Sequence, residues 1–522
     1  MKNGIIVLAT PAPISHRTPE ENLGLGYLAA VLRQKGYNTI IVDGWLSNMS
    51  YSEIASNILN YKNIIWVGFS SYRSNMAQTM KSVEIIKAAD KSIPIVVGGY
   101  GPTFDAEIFL KRGADVAVRG EAENIVTKLT EHFISGLPSL SNIEGISFFD
   151  GHSIVNNKPL QKISNLDSLP FPARDTMGSV LKRRIPVHVL SARGCMANCI
   201  FCSITSFWHL SSGPQWRQRS IKNFVDELEF LSKQGVRHFK VVDDSMLEPP
   251  RGLKWCRELA DEIIARNLSI RLRSSVRADR VNEDIVRELS RAGFFSFSCG
   301  IENFSNSALK RMNKTATLEQ NLTALNAFKK YKIYVQAGHI LFDYGTTLDE
   351  LWENLRYMEK YIWIISKGVF TEMYAADNTP YTRLLQKKGL FVRDESGLGN
   401  NKYFVQDQSA RNVYDALKEW HKNHMKLYDK AIDPLSSPKA LEEDELASIY
   451  QLYIKLHKKD IEIFKALMKM ANYNEKREIL LDFVKNEIVQ SAEWYNNIDA
   501  AVNRLYEKFG LIYDAMENPF IY

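Results

Sequence analysis

Along the first 135 residues, short apolar runs rich in β-branched side chains alternate with stretches whose apolar positions recur at helical spacing. Ile5 to Ala9, Thr39 to Val42, Ile64 to Ser70, Ile95 to Val97 and Val116 to Val118 read as strands. Leu23 to Gln34, Tyr51 to Leu59, Met76 to Ala88, Ala106 to Arg112 and Asn124 to Phe133 read as helices. Strict alternation with apolar strands predicts a parallel sheet covered on both faces, a doubly wound α/β domain. Ligands of such sheets sit at the strand carboxyl ends. Ser70-Ser71, Gly98-Gly99 and Gly120-Glu121 stand at that edge, where glycine lets a flat ligand approach the backbone.

Residues 136–184 read as a connector. Ile146 to Phe149 and Ser153 to Val155 flank Asp150-Gly151, a hairpin signal, and the prolines between Leu166 and Asp175 favour an extended linker. A second alternating region spans 185–400. After the apolar run that opens at Val187 come His238 to Val242, Ser269 to Ser275, Phe295 to Gly300, Val335 to Phe342 and Val369 to Tyr374, separated by helical stretches such as Asn223 to Lys233, Leu253 to Ala265 and Glu283 to Arg291. Six strand–helix units, where a closed barrel needs eight, predict an open parallel barrel with its active site at the strand carboxyl ends. Over 401–522 the pattern turns helical, at Ser409 to Lys430, Glu442 to Met470 and Glu475 to Trp494. The ladder Leu446, Ile449, Tyr450, Tyr453, Ile454 and His457 predicts a packed bundle.

Composition narrows the function classes. The chain has 522 residues, long for one core, and its net charge of +6 comes from dispersed Lys and Arg, which predicts no nucleic-acid partner. No apolar stretch reaches membrane-spanning length, and the run Ile5 to Ala9 is too short for a signal peptide, so a cytoplasmic location is expected. Three of only five cysteines fall in one short loop, as Cys195, Cys199 and Cys202. Thiolates at C-x3-C-x2-C spacing could hold zinc with a fourth ligand such as His209, or an iron-sulfur cluster with one iron left open. Cys256 and Cys299 have no partner at ligand spacing and read as core packing.

The cysteine loop follows a strand and has Phe201 just before its last cysteine, and it resembles the cluster loop of the radical S-adenosylmethionine (SAM) enzymes. The strings N-L-G-L-G-Y-L-A-A-V-L, V-G-F-S-S, V-V-G-G-Y-G-P-T and V-R-G-E-A-E look like the cobalamin-binding domain that precedes one large class of those enzymes. The resemblance implies a 4Fe-4S cluster on Cys195, Cys199 and Cys202. It implies SAM beside Phe201, Asp243, Asp244, Arg273, Ser275 and Glu302, the last in a Gly-x-Glu followed by a helix and a Met-x-Lys. It implies cobalamin against Ser70, Ser71, Gly98, Gly99, Gly120 and Glu121. The D-x-H-x-x-G motif is absent, and His16 reads as a loop residue, so cobalt is expected to lack a histidine from below. Asp343 and Thr346 also stand at a strand end, where a helix N-cap at Thr346 or Thr347 alone would explain the polar residues. Residues 1–194 contain no cysteine, so a second cluster is not expected. The function implied is a cobalamin-dependent radical SAM methyltransferase acting on an unactivated carbon of a natural-product or biosynthetic intermediate, the alternative being cyclisation or ring rearrangement without methyl transfer. The expected partners are a small-molecule or peptide substrate and a flavodoxin- or ferredoxin-type electron donor.

Overall fold

The computed structural model describes residues 4–13, 19–394, 401–436 and 439–513. Its first sheet contains β1 (Ile5–Thr10), β2 (Asn38–Asp43), β3 (Ile64–Ser70), β4 (Ile95–Gly98), β5 (Val116–Val118), β6 (Ile146–Phe149) and β7 (Ile154–Asn156), in the order β2-β1-β3-β4-β5-β6-β7. The first five are mutually parallel, as the alternation predicted. Successive strand residues point to opposite faces, so Val7, Val67, Phe69 and Val97 pack with Ile54, Ile58, Val83 and Ile86 on one side. Ile6, Leu8, Trp66 and Val96 pack with Leu25, Leu32, Ile125 and Leu129 on the other. The hairpin expected in the connector extends this sheet: β6 and β7 add on antiparallel beyond β5, because Ile146 and Phe148 alternate into the same apolar layer as Val116 and Val118. The helix after β4 also begins earlier than its pattern suggested, spanning Tyr100–Lys111 with Gly99 as N-cap.

The second sheet holds β8 (Val187–Val189), then β11 (His238–Val241), β12 (Arg271–Arg277), β13 (Phe294–Glu302) and β14 (Tyr334–His339), all parallel in the order β14-β13-β12-β11-β8. Between β8 and β11, β9 (Ala192–Gly194) and β10 (Trp216–Gln218) form a separate antiparallel ribbon. The sixth strand expected over Val369 to Tyr374 is not continuous. The chain meets β14 and its extension at two isolated parallel bridges, Gln336 with Ile365 just before that segment and Phe342 with Glu372 within it. Gly368, at φ +88°, turns the chain between the two bridges and interrupts the ladder.

The C-terminal helices Gln408–Ser436, Glu443–Asn472 and Arg477–Lys508 share one continuous core with the barrel, in which Trp420, Tyr453 and Phe464 join Val335 and Phe342. Tyr453 ties the two regions, accepting from the Ser366 amide at 2.8 Å and donating to the Ile364 carbonyl at 3.0 Å. Among the described residues no helix is long and apolar enough to cross a membrane.

Candidate functional site

The loop from Cys195 to Cys202 is shaped before any ligand enters it. Gly194, the last residue of β9, lies at φ +96°, and the ribbon brings Gln215 so close that a side chain at 194 would collide with it. Asp243 and Asp244, just after β11, grip the approach to the loop. Asp243 accepts from the Ser191 and Ala192 amides at 2.7 and 2.9 Å, and Asp244 accepts from the Gly194 amide and the Trp208 indole, both at 2.9 Å. Beyond the first cysteine, Ile200 is pinned at both ends of its peptide, its amide donating to Met312 O at 3.1 Å and its carbonyl accepting from Tyr381 N at 2.9 Å. Cys202 stands at the N-cap of the helix Ser203–His209.

The three cysteines line a cavity of about 250 Å³ together with Phe201, Asp244, Ser275, Arg277, Ser298, Gly300, Glu302, Lys314 and Gly338. Among the described residues, no three His, Cys, Asp or Glu side chains are grouped so as to hold a single metal ion. His209 is exposed and does not line the cavity. The three thiols thus line one cavity shared with Ser275 and Glu302, which suits a cluster with a further ligand beside it better than a single zinc ion. Burial pushes the Cys195 thiol up to about 12 and raises the other two, a penalty on thiolate that bound iron, as a local positive charge, reverses.

Opposite the thiols, Glu302 ends β13 in the left-handed region at φ +59° and pairs with Lys314 at 2.7 Å. A Cβ at residue 300 would come within 2.7 Å of both the Glu302 carboxylate and the Lys314 ammonium, so this wall has room for the ion pair only because position 300 is glycine. Arg277 and Glu248 were not singled out from the sequence. Arg277 pairs with Glu248 at 3.0 Å and Asp279 at 2.6 Å, and the Cys195 thiol lies 3.4 Å from Glu248. The strand period of two, which sets Arg273, Ser275 and Arg277 on one face of β12, is the signal that could have found Arg277.

A larger cavity of about 870 Å³ opens between the carboxyl edge of the first sheet and the mouth of the barrel. Ser70, Gly98, Gly99, Gly120 and Glu121 line it from the first sheet, and Phe201, His188, Leu190 and Tyr374 from the barrel side. Phe201 and Asp244 line both cavities. The apolar walls and the glycine edge, where Gly99 and Gly120 lie at φ +94° and +90°, suit a large flat ligand.

Several expected site residues stand elsewhere. Ser71 is fully buried under the turn, hydrogen-bonded to Asn75, and lines neither cavity. Asp243 is buried and engaged by the loop amides. Arg273 lies deeper in the barrel, donating to Ser298 and Gln336. Glu121 reaches the large cavity, but its carboxylate is taken by Arg193 at 2.7 Å and Arg217 at 2.7 Å. Of the two cap candidates Thr347 caps the helix Leu348–Lys360, and Asp343 pairs with Arg311 at 2.9 Å. Cys256 is buried in the core, as expected, whereas Cys299, equally buried, also lines the cluster cavity beside the three loop cysteines, which its reading as core packing did not anticipate. His16 lies outside the described residues.

Residues 14–130 match the B12 binding domain family, and residues 189–358 match the radical SAM superfamily. An uncharacterized methyltransferase of Pyrococcus horikoshii is 27% identical over 65% of this chain and 73% of its own. The 4′-phospho-dehydrooxetanocin synthase of Priestia megaterium is 25% identical over 90% of this chain and 71% of its own. The fold is that of the cobalamin-dependent SAM radical enzyme OxsB with aqua-cobalamin and SAM bound, at a TM-score of 0.77, 20% identity and coverage of 98% of this chain and 82% of OxsB. With one domain of each kind arranged about adjoining cavities, the chain belongs to the cobalamin-binding-domain radical SAM enzymes, whose cofactors are cobalamin, SAM and a 4Fe-4S cluster.

Proposed function

We propose that this cobalamin-dependent radical SAM enzyme transfers a methyl group to an unactivated carbon of a small biosynthetic intermediate. The observation that carries the reading is the shared wall: Phe201 and Asp244 border both cavities, so a group in one would lie next to a group in the other. In this reading Cys195, Cys199 and Cys202 hold the cluster, Ser275 and Glu302 hold SAM, and Ser70, Gly98, Gly99 and Gly120 meet cobalamin, and it is supported by their lining the two cavities. When bound, these cofactors supply a 5′-deoxyadenosyl radical that removes a hydrogen atom from carbon and a methyl group that replaces it. The chain's own share is placement and exclusion of water. Glu302, held by Lys314, presents a fixed carboxylate where the amino group of SAM can be met. Asp243 and Asp244 keep the cluster loop from drifting, and the C-terminal helices close the barrel side. A flavodoxin- or ferredoxin-type protein would deliver the electrons.

The alternative, cyclisation or ring rearrangement without methyl transfer, is favoured by one observation: the relative aligned through 90% of the chain, C-terminal region included, is named a synthase. Product analysis separates the two. Methyl transfer should leave S-adenosylhomocysteine and 5′-deoxyadenosine in equal amounts, and SAM with a deuterated methyl group should label the product. Conversion without label and without S-adenosylhomocysteine would replace methyl transfer with rearrangement.

A further inference from the structure

Neighbouring barrel strands set His188, Lys240 and Arg273 side by side. Lys240 of β11 is level with His188 of β8 on one side and with Arg273 of β12 on the other. Ser296 and Tyr334 continue the row on β13 and β14. Two residues further along, Ser275, Ser298 and Gln336 form the next row on the same face, and Ser275 and Ser298 line the cluster cavity. The basic row is therefore the layer of the barrel lumen directly beneath that cavity, a layer that parallel barrels usually fill with Val, Ile and Leu.

Lys240 and Arg273, cations level with one another on adjacent strands, repel, and a guanidinium buried without an ion-pair partner is costly. Arg273 is 3% exposed and has no carboxylate in ion-pair range among the described residues. Its Nη2 donates to two neutral acceptors, Ser298 Oγ at 2.5 Å and Gln336 Oε1 at 2.6 Å, and its Nη1 has no partner. His188 Nε2 and Ser296 Oγ, in side chains equally deep, have none either. One carboxylate reaches the row from outside the barrel. Glu20, from the loop after β1, is ion-paired with Lys240 and stands 3.9 Å from His188 Nε2. Glu20 and His188 both line the large cavity, so the His188 end of the row reaches it and Glu20 stands between the cavity and Lys240.

We infer that this row is a subsite for an oxyanion of the substrate, a phosphate or carboxylate group, and that Glu20 holds the place of that anion until substrate arrives. The inference rests on reading the cavity as the reaction chamber, and it makes the substrate an anionic small molecule. Arg273 and Lys240 supply the charge, while the unpartnered atoms of Arg273, His188 and Ser296 supply hydrogen-bonding groups that the protein itself leaves unused.

Glu20 is then an internal competitor, which gives a test that needs neither the substrate nor turnover. Full-length protein loaded with cluster and cobalamin is titrated calorimetrically with inorganic phosphate and, separately, with acetate. Glu20→Gln should bind one of these anions about tenfold more tightly than the unaltered protein does. Adding Arg273→Gln or Lys240→Gln to Glu20→Gln should abolish the gain, and Arg273→Lys should keep part of it. A gain for phosphate marks a phosphorylated substrate, and a gain for acetate alone marks a carboxylate. The inference is overturned if Glu20→Gln binds neither anion more tightly, or if the gain survives both second substitutions. Iron and cobalamin content monitor folding, and Lys240→Gln replaces Arg273→Gln should that variant not fold. Since no methyl group moves in this experiment, its failure leaves the methyl-transfer reading standing, and unlabelled product would sink that reading without touching the anion subsite.

Discussion

At Gly194 a Cβ would lie 1.9 Å from the Gln215 carbonyl oxygen, and the backbone is at φ +96°. Gly194→Ala must therefore displace the β9–β10 ribbon one residue before the first cysteine. Anaerobically reconstituted Gly194→Ala should hold clearly less iron than the unaltered protein and unfold at lower denaturant, with a backbone cost of about 1–3 kcal/mol before the clash is counted. Changing Cys195, Cys199 and Cys202 together to Ala should reduce iron from about four per chain to background. Zinc with no labile sulfide in the anaerobic protein would refute the cluster. Glu302 allows a finer test, because it stands across the cavity from the thiols. Glu302→Gln should retain full iron and weaken SAM binding by about tenfold or more, as expected for a lost charge-assisted hydrogen bond. Unchanged SAM affinity by calorimetry would reduce Glu302 to the counter-ion of Lys314.

At the scale of elements, the legible parts were those whose pattern has one physical cause. The five parallel strands of the first sheet and the cysteine loop could be read because strand alternation and ligand spacing are local. The sixth barrel strand was misread because Val369 to Tyr374 is apolar enough for a strand, and only the conformation of Gly368 shows the ladder to be broken. Asp243 and Arg273 were legible as unusual residues but not as to what they touch, since Ser191 and Gln336 come near only through tertiary folding. The C-terminal helices hid more. His457 belonged to an apolar ladder, and the structure buries it beside Tyr453 with their rings stacked 5.5 Å apart. Burial depresses His457 to about 3 and His421, His424 and His339 to about 4. An unfolded histidine takes up its proton near pH 6.5, so these groups contribute stability that is complete above about pH 6.5 and is lost as pH falls toward 4. Each adds about 1.4 kcal/mol per pH unit to the acid sensitivity within that window. His457→Phe, which keeps a ring against Tyr453, should reduce the slope of urea stability between pH 6 and pH 5 by about one proton. An unchanged slope would mean that His457 is already protonated in the folded protein.

In the whole molecule, buried ion pairs set the position of the cobalamin edge relative to the cluster loop. Arg174 of the connector bridges Glu21 of the first domain at 2.9 Å and Glu227 of the barrel at 2.7 Å. Arg193 of β9 holds Glu121 and Glu123, and Arg217 of β10 holds Glu121, so the ribbon that leads into Cys195 is fastened to the end of β5. Burial pushes the Glu121 carboxyl up, but the two guanidiniums outweigh it, and the net direction is down. The Gly120-Glu121 signal, legible in the sequence as a ligand contact, is therefore in large part a joint between domains. Glu121→Gln separates the two roles. Arg193 would keep Glu123, but Arg217, whose Nε and Nη2 already lack partners, would lose the carboxylate that balances it. An uncompensated buried charge costs about 3–5 kcal/mol, and screening by added salt should recover little of it. As a joint, Glu121→Gln should lose iron and cobalamin together and expose the connector between Asn156 and Arg184 to proteolysis. As a cobalamin contact alone, it should lose cobalamin while iron content and protease resistance stay at the level of the unaltered protein, and that outcome would refute the joint.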